Sequence, residues 1–124
     1  MIDSLNASVA EAVALVGAPA LRRSILEQWR ASSSVHVIGG VIPFTYEGPT
    51  ARILALLEAS LGEREAARLR LRTALAVVEA RGFRPWIAQI HYDLGVLTGD
   101  ATHLARAAEL AQELGMPGLV KRAR

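Results

Sequence analysis

The side chains best suited to moving protons or holding a metal are His36, His91 and His103. Their spacing does not assemble a site. The three lie in separate segments, no two stand four residues apart, and the chain has no cysteine to complete a zinc set. The lack of cysteine also removes a thiolate nucleophile and any disulfide framework. His91, Tyr92 and Asp93 bring an imidazole, a phenol and a carboxylate into consecutive positions, but neighbours along a helix point apart rather than toward one substrate. The histidines are therefore expected to be surface or hydrogen-bonded residues that hold no metal. Glu63 and Glu65 have the composition of an acid–base couple, yet both open a helical segment, where acids favour the positive end of the dipole. Gly39-Gly40 lacks the Lys-Ser/Thr of a phosphate loop, and Ser32, Ser33 and Ser34 have no histidine in a nucleophile motif. No residue set supports a reaction, so the expectation is a protein that is not an enzyme and uses no cofactor.

Other sets can bind without catalysing. Arg64, Arg68 and Arg72 recur at every fourth position, with Arg70 beside them. Like charges at this spacing repel by a few tenths of a kcal/mol, and Glu65 relieves only part of that. The ladder is either a solvated face or a surface for an acidic peptide or phosphate. Trp29, Trp86 and Tyr92 are candidates to line a groove or pocket, the alternative being that large aromatics plug the gaps between Ala-rich helices. A third set is apolar: Val41, Ile42 and Phe44, in a stretch from Val35 that fits no helical period. Six such side chains are too many to leave in water, since burying each is worth roughly 1.5–3 kcal/mol. Either the chain's own helices cover them or a second copy does.

The elements that must carry these residues are mostly helices. Leu5, Val9, Ala12, Val13 and Val16 recur at the helical interval over about 4–16, and Leu21, Ile25, Leu26 and Trp29 do so over about 19–31, behind Pro19. Residues 35–47 break the pattern. Two β-branched runs around Gly39-Gly40 form a hairpin signal, but Pro43 and the marginal stability of an isolated hairpin favour an extended or partly helical apolar connection. Four more helices follow, at about 49–61, 63–81, 84–97 and 100–114, closed in turn by Gly62, Gly82, Gly99 and Gly115, with Asp100 as an N-cap. Apolar residues surround the first of the four, which marks it as central. The tail from Gly118 reads as a frayed start or a terminus.

Composition narrows the setting. At 124 residues the chain fits one domain, with an N-terminal helix pair (1–34), the apolar connection (35–47) and four helices (48–119). The N-terminal sequence has no basic region ahead of an apolar one, and no apolar run approaches the roughly 20 residues a membrane span needs. Residues 1–61 hold four Arg against five acids, and residues 62–124 ten Arg or Lys against seven. That balance lacks the dense basic stripe of a nucleic-acid binder. A cytoplasmic protein that meets neither membrane nor nucleic acid is expected.

The last four helices repeat. Gly62 is followed by Ala67, Leu71 and Ala74, and Gly99 by Leu104, Ala108 and Ala111 at the same offsets, while Gly82 and Gly115 stand 33 residues apart. Small residues at a period near 34 let helix pairs approach closely, as in tetratricopeptide repeats. The run Gly48-Pro49-Thr50-Ala51-Arg52-Ile53-Leu54-Ala55-Leu56-Leu57, with Leu61-Gly62, Ala66-Ala67, Ala74-Leu75, Gly82-Phe83-Arg84-Pro85-Trp86-Ile87-Ala88 and Gly115-Met116, resembles the C-terminal tetratricopeptide-like regions of large bacterial signalling ATPases, adenylate cyclases and transcriptional regulators. The resemblance covers about residues 48–119. It implies an all-α fold, a short α-solenoid of antiparallel helix hairpins, and a binding scaffold without the ATPase, cyclase or DNA-binding parts. The expected function is a protein–protein interaction or self-association module of a bacterial signalling protein, with a homo-oligomer the expected state. The other reading is a sensory domain that takes a small molecule or peptide in the helical groove.

Overall fold

The computed structural model describes residues 2–3, 10–15, 17–31, 36–39 and 45–124. Helices dominate, and among the described residues no helix is long and apolar enough to cross a membrane. The contacts divide the chain into two compact units, Met1–Arg70 and Leu71–Arg124, each with its own packing.

The first unit combines helices with a small sheet. A helix described over residues 10–15 (α1) is followed by α2 (Pro19–Arg30), which opens on a proline as a first turn allows. Strands β1 (Ile2–Asp3), β2 (His36–Gly39) and β3 (Thr45–Pro49) form one sheet in that order, β1 parallel and β3 antiparallel to β2. Residues 36–39 and 45–49 thus pair as strands where an extended or partly helical connection was expected, while the second β-branched run, Val41-Ile42, lies outside the described residues. The missing ingredient was β1: a third strand gives the hairpin a partner, which an isolated pair lacks. The register slips by one between Val37 and Ile38, the mark of a bulge. Pro49 ends β3, an edge strand of the kind that tolerates proline, and its extended backbone serves as N-cap of α3 (Thr50–Ser60).

The core of this unit gathers Ala10, Val13 and Ala14 of α1, Leu26 and Trp29 of α2, and Ile53, Leu54 and Leu57 of α3. Helix α3 is buried around most of its circumference, the expected central element, and even Arg52 and Glu58 are covered. Two expected core positions fail. Ala12 is exposed, because Ala10, Val13 and Ala14 form the inward face of α1. Leu21 is 49% exposed. At that end of α2 the inward group is Arg22, whose guanidinium donates to the carbonyls of Val13 (3.2 Å) and Ser60 (2.8 Å).

Helix α4 (Arg64–Arg81) begins in the first unit and ends in the second. The second unit continues with α5 (Arg84–Thr98), α6 (Ala101–Glu113) and α7 (Pro117–Ala123). Helices α5 and α6 form an antiparallel hairpin: Gly95 lies against Leu104 near the turn, and Arg84 pairs with Glu113 at the far end. Gly95 has no side chain because a Cβ there would stand 2.6 Å from Leu104 Cγ. Asp100 caps α6 as expected, its carboxylate accepting the Thr102 N–H at 2.8 Å.

The tail, read as a frayed start or a terminus, forms helix α7. Leu119 packs with Ala88, Leu110 and Ala111, and Ala123 with Ala107 and Ala108, so α7 returns along α6. Two of the turns share one device. Gly82 and Gly115 take φ of +66° and +68°, and the following N–H of Phe83 or Met116 reaches back to the carbonyl of Val78 or Ala111. These are Schellman caps, which satisfy the last carbonyls of a helix and favour glycine at the left-handed position.

Candidate functional site

In the first unit the charged residues are organised around Glu58. Its side chain is 1% exposed, and its carboxylate accepts from Arg70 at 2.9 Å and Arg30 at 3.3 Å. Arg30 also reaches Glu63 (3.0 Å), which pairs with Arg23 (2.9 Å). The hydrogen bond from Arg23 is the main influence holding the Glu63 carboxyl below its ordinary range. A buried carboxylate needs such partners, and the Glu58–Arg70 pair draws the start of α4 back along the end of α3. The sequence motifs did not single out this network. Its signal was a glutamate near the end of a largely apolar helix, with arginines on the helices before and after it.

The arginine ladder is less regular than its spacing. Arg64 and Arg72 are exposed, while Arg68 pairs with Glu65 at 2.9 Å, a bond that raises the already high pKa of its guanidinium. Arg70 belongs to the Glu58 network. Trp29 is 5% exposed within the first core, the packing role weighed against a pocket. Trp86 is half-buried in the first turn of α5. Tyr92 packs where α5, α6 and α7 meet, with the Arg122 guanidinium 5.5 Å from its ring centre. Val41, Ile42 and Phe44 lie outside the described residues.

Two features of the second unit were not anticipated. The first is a surface. Along α6, Ala101, Ala105, Ala108 and Gln112 form a stripe at helical spacing, flanked by Leu104 and Glu109, and with Ala123 and Arg124 they line a shallow open groove between α6 and α7. A second depression adjoins it at Gln112 and Arg124 and runs past Met116 and Val120. Arg124 donates to Gln112 at 2.6 Å, so one polar contact stands where the two meet. Small side chains on the floor leave the backbone of α6 close to whatever lies in the groove.

The second feature is the contact between His91 and His103. Their Nδ1 atoms are 3.0 Å apart, across the α5–α6 hairpin. The residues read as isolated because the sequence places them twelve positions apart on different helices; the hairpin register brings them together. Burial lowers the His91 pKa below its ordinary value, His103 and Arg106 add to that effect, and Glu79 opposes it. Among the described residues no group of three or more His, Cys, Asp or Glu is placed to hold a metal ion. No family model, no curated protein and no solved structure matches the chain.

Proposed function

We propose that the chain is a non-catalytic protein–protein interaction module, and that the α6–α7 face of its second unit is the docking surface. The observation that carries this reading is the groove between α6 and α7, half of whose lining residues are alanines, with Leu104, Glu109, Gln112 and Arg124 beside them. A groove floored by alanine admits a helix at close range, since packing distance follows the bulk of the side chains at the contact. Its openness suits a polypeptide better than a small molecule, which is held by a cleft that covers most of its surface. The sensory reading therefore receives less support. The repeated small residues and the four glycine-closed turns agree with a tetratricopeptide-like scaffold, and the resemblance to bacterial signalling proteins supplies the setting we favour for it.

The test is to block the groove. Ala105 is exposed at mid-stripe, so Ala105→Arg fills the groove and leaves the apolar core untouched. Wild type and variant are compared by circular dichroism, by sedimentation over a range of concentrations and by affinity capture from cells. The expected result is unchanged helicity with loss of self-association or of a specific captured protein. A variant that keeps every association of the wild type overturns the proposal.

A further inference from the structure

The His91–His103 contact has a chemistry that its helical setting does not require. The ring centroids are 5.2 Å apart with the planes tilted by 33°, and the nitrogens are at 3.0 Å. That centroid separation is close to what two imidazoles give when nitrogen faces nitrogen along a line. A shared metal would need both lone pairs turned aside toward a common point, so the arrangement is that of an N–H···N hydrogen bond.

Such a bond counts protons. In the neutral pair one ring carries its hydrogen on Nδ1 and donates it, while the other carries its hydrogen on Nε2 and accepts through Nδ1. A first added proton goes to the free Nε2 of the donor ring. The bond survives and becomes charge-assisted. A second added proton has only the accepting Nδ1 left, which places two N–H groups and two positive charges against each other at 3.0 Å. The contact must then open.

We propose that the His91–His103 pair is a proton-gated tie: the α5–α6 hairpin is closed while the rings share a hydrogen bond, and a second added proton releases it. The surrounding charges do not cancel this. Arg106, on α6, disfavours a charge on His91, and Glu79, on α4, favours one. Asp100 is close enough to feel the charge of His103, yet its carboxylate is already engaged by Thr102. Arg122 of α7 is turned to Tyr92.

The sign follows from linkage. With the His91 pKa depressed in the folded chain, the unfolded chain binds more protons in the mildly acidic range, so stability rises with pH there. The contribution is complete above the ordinary histidine value and is lost as pH falls through the lower folded one. Denaturant unfolding of the full chain at pH 7.5, 6.5 and 5.5 reads this directly. In the wild type, the unfolding equilibrium constant is expected to rise toward pH 5.5, by about tenfold per pH unit wherever unfolding takes up one proton. The double variant His91→Gln/His103→Gln removes both imidazoles of the pair, and its profile should be clearly shallower than that of the wild type. Should that variant fail to fold, ring-nitrogen NMR of the wild type decides: a coupling between the two Nδ1 atoms across the shared proton at pH 7.5, vanishing at pH 5.5. Equal slopes in wild type and variant, or no shared proton at pH 7.5, overturns the proposal.

Discussion

At the scale of single residues, the cost of a buried charge falls unequally on its partners. Glu58 is 1% exposed, whereas Arg30 and Arg70 are 37% and 42% exposed at their side chains. Removing the glutamate lets both guanidinium groups turn to water, so Glu58→Gln is expected to cost about 1–2 kcal/mol, in the range of lost charged hydrogen bonds. Removing both arginines strands a carboxylate out of water, and Arg30→Ala/Arg70→Ala is expected to cost about 3–5 kcal/mol. Urea midpoints of the two variants rank them. A glutamine variant as unstable as the double arginine variant would show that the network is anchored at its rim and not at its buried member. The exposed Arg23–Glu63 pair is of the kind that contributes little.

Between helices the contacts are set by what is missing from side chains. At Gly95 an added Cβ meets Leu104 Cγ at 2.6 Å and the Leu104 backbone nitrogen at 3.1 Å. Gly95→Ala gains about 1 kcal/mol of helix propensity, but the overpacking it forces costs about 1–3 kcal/mol, and the variant should be less stable on balance. Ala108, buried beside Ala107 and Ala123, should respond to Ala108→Leu by a similar loss. Denaturation midpoints unchanged in both variants would show that the crossing has slack. The helices themselves were legible in the sequence, since apolar residues recur at the helical interval and a glycine or proline marks each turn. What escaped was whatever depended on partners distant in the chain. The β2–β3 hairpin depended on β1. Helix α7, only seven residues long, is held by Ala88, Leu110 and Ala111, and its own sequence gives no such assurance. The histidine contact and the groove depended on the register of α5, α6 and α7, which no motif encodes.

The whole molecule divides its contacts by distance along the chain. In Leu71–Arg124, α5, α6 and α7 follow one another through turns of a few residues, with α6 packed on α5 and α7 on α6. In Met1–Arg70, β1 and β2 pair in parallel, Ile2 with Val37 and Asp3 with Ile38, with α1 and α2 lying between them in sequence. A parallel pair cannot be closed by a tight turn. The ends of a long connection must meet before the pairing returns any stabilisation, and loop closure of that kind slows folding. The parallel strand pair therefore acts as a clock. Trp29 reports the first unit and Trp86 the second, so single-tryptophan variants separate the two signals. Refolding followed at Trp86 in Trp29→Phe should be at least several-fold faster than refolding followed at Trp29 in Trp86→Phe. Equal rates would mean that the strand pairing is not what the first unit waits for. If the clock runs as expected, the helices that carry the groove take shape while the sheet is still unmade.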